Sequence, residues 1–135
     1  MELALRILVG ANAVWDFLSW ECILHVVNHP KAHPIIHQVA SLHTKWWRCT
    51  KYQENKAACV LMAWLLLALG TMRLAWAIDT NCQLPAVLSY LLETFLIATE
   101  LVSNRMQRSQ NTDFSALASA LLGLAISHVP RPLQQ

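Results

Sequence analysis

Charge is scarce in this sequence. Lys, Arg, Asp and Glu together make up 13% of its 135 residues, about half the share of a soluble domain. A domain of this size in water needs more polar side chains than that to cover its surface. Glycine is rare too, with three residues, and no glycine-rich phosphate loop is present. The four cysteines, Cys22, Cys49, Cys59 and Cys82, form no C-x-x-C pair, so neither a zinc knuckle nor a disulfide framework is indicated; buried small hydrophobes are the expected role. The formal net charge of +2 is too small to imply a nucleic-acid partner. The N-terminal apolar run contains Asp16 and Glu21 and has no basic region before it, so a secretory signal is not expected, and it is not the Arg- and Ser-rich start of a transit peptide.

What is abundant is apolar side chain, 56% of the residues, and this moves the class to an integral membrane protein. A span needs about 20 mostly apolar residues. Four segments approach that length: 3–27, 57–78, 84–102 and 114–129. The last would reach only about 24 Å at 1.5 Å per residue, so it needs a thinned bilayer or capping neighbours. Thr112 or Asp113 can cap its start, and Pro130 and Pro132 stop it. Loop charges support the layout. Lys31, Lys45, Arg48, Lys51 and Lys56 fall in the first loop, Arg105 and Arg108 in the third, and the short second loop, 79–83, has neither Lys nor Arg. This alternation puts the first and third loops on the cis side and both termini on the other.

Between the first two spans, Ile35, Ile36, Val39, Leu42, Trp46 and Trp47 recur at helical spacing. The run is too short to cross, so it predicts an amphipathic helix over about 35–47 lying in the headgroups. Trp46, Trp47 and Arg48 would anchor it in the interfacial belt. The expected architecture is an all-α, single-domain membrane four-helix bundle with this interfacial helix between spans one and two.

A histidine stands at every fourth position from His25 through His29 and His33 to His37. Pro30 and Pro34 follow two of them, and a residue before proline is pushed out of helical geometry. One helix therefore cannot carry all four, and the row reads as interfacial histidines. The alternatives are a metal site of Glu21, His25 and His29, since the first two are i, i+4 on one face, and a pH sensor. A membrane di-iron oxygenase needs histidines in two regions, and a bis-histidine haem needs two at similar depth; His128, at the opposite face, supplies neither. A pigment or bound lipid held through His25 or Asn12 stays open.

Ionisable groups inside a membrane are expensive and usually face a partner. Spans two and three are joined by a tight loop, so they are expected to be antiparallel neighbours. Folding about that loop brings Arg73 level with about Tyr90 and one turn from Glu93, which implies an Arg73–Glu93 ion pair. Glu100 is seven residues on, on the same face, and Asp16 sits at about the depth of Glu93. A buried network locking helices together is one reading; an Asp16–Glu93 acid–base dyad or relay and partner contacts through Asp16 and Glu100 are the others. In span four, Ser115, Ser119, Gly123 and Ser127 recur at i+4. Such a ridge lets backbones approach, within the bundle or against a partner's helix. Trp15, Trp20, Trp64 and Trp76 read as lipid or core anchors.

The stretch Leu69-Gly-Thr-Met-Arg73-Leu-Ala-Trp-Ala-Ile-Asp79, followed by Thr94-Phe95 and Glu100-Leu101, resembles the ergosterol biosynthetic protein 28 family, small four-span proteins of the endoplasmic reticulum. The resemblance covers about a quarter of the chain. Here Ala98-Thr99 precede Glu100 where the family usually has His-Phe, and the first loop is longer. The resemblance implies a scaffold that tethers enzymes of sterol C-4 demethylation, with Arg73, Glu100, Thr94 and Phe95 as the carried-over positions. No Ser-His-Asp set or redox pair indicates an enzyme. The expected function is a non-enzymatic scaffold or accessory subunit whose partners are other membrane protein subunits and the bilayer. Its expected place is the endoplasmic reticulum or an organelle inner membrane, thylakoid or mitochondrial. Two alternatives are an accessory subunit of a photosynthetic or respiratory complex, and a small membrane enzyme or proton-coupled carrier using Asp16 and Glu93.

Overall fold

A computed structural model describes residues 2–44, 55–103 and 110–130. Every regular element among them is helical: α1 Glu2–Asn28, α2 Pro34–Thr44, α3 Lys56–Ile78, a 3-10 turn Thr80–Cys82, α4 Gln83–Val102 and α5 Gln110–Ser127. α1, α3 and the stretch Thr80–Val102 are long and apolar enough to cross a membrane; α5 contributes a shorter apolar helix, Asp113–Ser127. Large apolar side chains cover the outer faces, among them Ile7, Leu61, Leu88, Phe95, Phe114 and Leu121. In water this surface would be an aggregation liability; against lipid it costs nothing. The chain has the build of an integral membrane protein.

α1, α3, α4 and α5 alternate in direction, and polar side chains tie their ends. Arg6 on α1 donates from Nε to the Ala77 carbonyl (3.0 Å) and from Nη2 to that of Ile78 (2.8 Å). These are carbonyls a helix C-terminus leaves without intrahelical partners. Asp79 ends α3 and its carboxylate accepts from the Asn81 backbone N–H at 3.0 Å, which sets the turn. Gln83, buried at the start of α4, donates from Nε2 to the carbonyls of Ile126 (2.5 Å) and Val129 (2.9 Å) and so closes the end of α5. Replacing Gln83 with Leu leaves those carbonyls without this donor. We expect a loss of about 1–3 kcal/mol, read as a lower unfolding midpoint in detergent, with Gln83→Glu failing to restore it because a carboxylate has no N–H.

The side chains pack as two clusters at different depths. Cys22, Ile23, Val26 and Val27 of α1 meet Ala40 of α2 and Cys59, Met62, Ala63 and Leu66 of α3. At the other end Val9 meets Trp76, Ala86, Tyr90, Ile126 and Val129. Between them, Gly70 of α3 lies against α1. A Cβ added there would meet the Asp16 Cβ at 3.0 Å and the Ala13 carbonyl at 3.2 Å.

α2 covers Pro34–Thr44 of the helix expected over 35–47 and runs back along α1; residues 45–47 lie outside the described residues. Ala40 and Thr44 are fully buried, and the His43 ring sits 6.2 Å from that of Trp15. Trp15 is 13 residues before the end of α1, about 20 Å along it, so α2 returns to mid-depth. The reason lies in the turn before it. His33 Nδ1 accepts from the Ile35 N–H at 3.3 Å, Pro34 opens the helix where no N–H is needed, and His37 Nε2 reaches the Pro30 carbonyl at 3.2 Å. The histidine row builds a reverse turn. The face that α1 covers centres on Ala40 and Thr44, with Ile36 and Val39 beside them, while Ile35 and Leu42 of the expected apolar face stay exposed; helical spacing told neither this face nor its partner. The anchors Trp46, Trp47 and Arg48 lie outside the described residues, as do Lys45, Lys51, Arg105 and Arg108. α5 also differs from expectation: it starts at Gln110 and ends at Ser127, which places Asp113 in its first turn. An acidic side chain there suits the helix dipole without being the cap.

Candidate functional site: a buried charge cluster beneath a lateral cleft

The middle of the molecule is polar. Arg73 is fully buried on α3, Asp16 is 2% exposed on α1, and Glu93 of α4 is a quarter exposed at its side chain. Arg73 Nη1 donates to Asp16 Oδ2 at 2.7 Å, and Nη2 donates to Glu93 Oε2. Its Nε reaches Ser89 Oγ at 3.3 Å. The guanidinium carbon lies 4.1 Å from the centre of the Tyr90 ring, a cation–π contact. Glu93 Oε2 also accepts from Ser119 Oγ of α5 at 3.0 Å. Tyr90 donates its hydroxyl to Asn12 Oδ1 on α1 at 2.9 Å. One arginine thus connects α1 and α4 to α3, and Glu93 adds α5.

Local sequence explains the convergence. Gly70 and Arg73 are three apart and share a face of α3; the glycine lets α1 come close, and the arginine then meets Asp16. Glu93 is one turn from Ser89 and Tyr90 on α4, so all three face α3. Gly123 admits α4, since a Cβ there would meet the Tyr90 Cβ at 3.2 Å. Ser119, four residues earlier, then reaches Glu93.

Above the cluster, α1 and α5 touch only briefly and leave a cleft of about 390 Å³. Leu8, Trp15, Phe114 and Leu122 form its apolar walls. Asn12, Asp16, His43, Glu93 and Ser119 form a polar floor. His43 also borders a smaller space of about 40 Å³ on the far side of Glu93, with Met62 and Leu96. His43 was not singled out from sequence. Its signal was faint: it follows Leu42 on a helix whose fold back onto α1 no local pattern announces.

The structure distributes the sequence candidates as follows. Arg73 and Glu93 are in contact. Asp16, Ser119 and Gly123, for which the sequence left bundle packing and partner contact open, make contacts within the chain. Ser115 lines the cleft, and Ser127 is exposed, with its hydroxyl on the Leu124 carbonyl at 2.7 Å. Glu100 is half-exposed toward the end of α4. Asn12 and His25, the candidates for holding pigment or lipid, are 13 residues apart on α1 and front separate spaces. His25 is exposed at the turn, its ring 4.9 Å from that of His29, beside Lys31 and His33. Among the described residues, no three His, Cys, Asp or Glu side chains converge as metal ligands. The Glu21–His25–His29 metal alternative therefore has no geometry here. No family model matches the chain, and neither does any curated protein or solved structure.

Proposed function

We propose that the chain is a non-enzymatic membrane scaffold or accessory subunit that crosses the bilayer four times and holds other membrane subunits together. The observation that carries this reading is the use made of Arg73. Its guanidinium is engaged by Asp16, Glu93, Ser89 and the Tyr90 ring. Its role there is to fix three helices in register. What the chain presents outward is apolar helix surface, including a continuous line on α4 of Leu84, Leu88, Leu91, Phe95 and Val102. Such a rigid apolar face is suited to packing against other transmembrane helices. The fourth crossing rests on α5, whose apolar part, Asp113–Ser127, reaches about 22 Å and so needs a locally thinned bilayer, and on its antiparallel packing on α4. An endoplasmic reticulum location rests on the family resemblance alone.

Isolation from native membranes in mild detergent tests the reading. Expected is a defined set of larger membrane subunits in fixed proportion, reduced when Leu88 and Phe95 are both replaced by Ala while the yield of the chain itself holds. A chain that emerges alone from native membranes contradicts it. One observation favours a second reading, a small membrane enzyme or proton-coupled carrier: Asp16 and Glu93 border the same cleft as His43.

A further inference from the structure

Among the described residues the cleft floor has unequal charge. Two carboxylates, Asp16 and Glu93, share the single guanidinium of Arg73. Among the described residues that line the cleft or face the pair from α1, α2, α4 and α5, none carries a fixed positive charge; His43 is the other ionisable group. Bilayer hydrocarbon does not solvate an excess negative charge, so a cation or a proton must balance it. The cleft above is about 390 Å³, within the roughly 300–1,000 Å³ usual for small-molecule sites. Its walls, Leu8, Trp15, Phe114 and Leu122, are apolar. Asn12 and Ser119 add hydrogen-bonding groups beside the carboxylates.

We propose that this cleft binds an amphiphile with a protonated amine head and an alkyl body. The ammonium sits over Asp16 and Glu93 and restores charge balance. It donates hydrogen bonds to the carboxylate oxygens, and Asn12 Oδ1 is a further acceptor within the same floor. The alkyl chain lies between α1 and α5 against Trp15 and Phe114 and leaves sideways into lipid. An anionic head is repelled by the same excess charge, and a neutral hydroxyl leaves the charge unbalanced. Selectivity for the amine is therefore the property that separates this site from a groove merely filled by lipid tails.

The test uses the purified full chain in a nonionic detergent, with dodecylamine, dodecanol and dodecanoate as probes and native mass spectrometry as the readout. Expected is a one-to-one adduct with dodecylamine, favoured roughly tenfold or more over the other two. Ala118 lines the cleft but has no part in the charge cluster. Ala118→Phe projects a ring into the space and should weaken the adduct while the unfolding midpoint stays near that of the parent. Equal retention of all three probes, no adduct with any, or an adduct unchanged in Ala118→Phe overturns the proposal; the first two indicate that a proton balances the charge. Copurifying subunits play no part in this experiment, so its failure leaves the scaffold reading standing.

Discussion

Replacing Arg73 with Met should cost the protein a large part of its stability. Two carboxylates, on α1 and α4, lose their shared cation and face each other in a low-dielectric interior. Removing one partner from a buried ion cluster costs about 3–5 kcal/mol, because the charges left behind keep their desolvation penalty without its compensation. That is a large share of the roughly 5–15 kcal/mol by which a domain is stable. The Tyr90 ring also loses its cation. The measurement is the folded fraction in detergent, followed by tryptophan fluorescence against increasing denaturant. Arg73→Lys should rescue little. Three separate nitrogens of Arg73 reach Asp16, Glu93 and Ser89, and an ammonium has no planar fork to span them.

Gly70→Ala is the second large effect, and its sign is diagnostic. In a helix interior, glycine to alanine ordinarily stabilises by up to about 1 kcal/mol. Here the added Cβ would stand 3.0 Å from the Asp16 Cβ and 3.2 Å from both the Ala13 carbonyl and Phe17 Cε1. Two of those three atoms belong to α1 backbone or sit directly on it, so relief requires moving the helix. Overpacking of this kind costs about 1–3 kcal/mol, and the shift also lengthens the Asp16–Arg73 contact. Gly10→Ala is the control. A Cβ at Gly10 meets the Ala77 Cβ at an ordinary 3.5 Å, so this variant should match or exceed the parent's unfolding midpoint. If the two variants shift the midpoint in the same direction, the close approach of α1 to α3 at Gly70 is not what holds them.

Much of this arrangement is legible in the chain. The lengths of α1, α3 and α4 follow from apolar run length. The short polar turn at 79–82 fixes α3 and α4 as antiparallel neighbours, and counting residues back from it puts Arg73 beside Tyr90, where its guanidinium is found. Asp16 entered the sequence reading as a group at the depth of Glu93, but nothing local decides whether such a carboxylate turns to its own bundle or to a neighbour. Gly70 decides it, and its meaning depends on α1 lying opposite. The path of α2 was not legible for a related reason. The large apolar side chains of α2 suggested one face, but the face packed on α1 is built on the small Ala40 and Thr44, while Ile35 and Leu42 stay exposed. The turn chemistry of His33, Pro34 and His37 settles the direction, and with it the placement of His43 beside the charge cluster. Ser119 and Gly123 were visible as a small-residue ridge; that they face α4 depends on Tyr90 and Glu93 being presented there.

The most direct measurement is the stability of Arg73→Met beside that of the triple variant Arg73→Met, Asp16→Asn, Glu93→Gln, under one denaturant titration. If Arg73 holds α1, α3 and α4 together by neutralising the two carboxylates, removing all three charges removes the unbalanced charge as well. The triple variant should then recover most of the midpoint that Arg73→Met loses. A triple variant no more stable than Arg73→Met, or one that loses the sum of the separate effects, would contradict it.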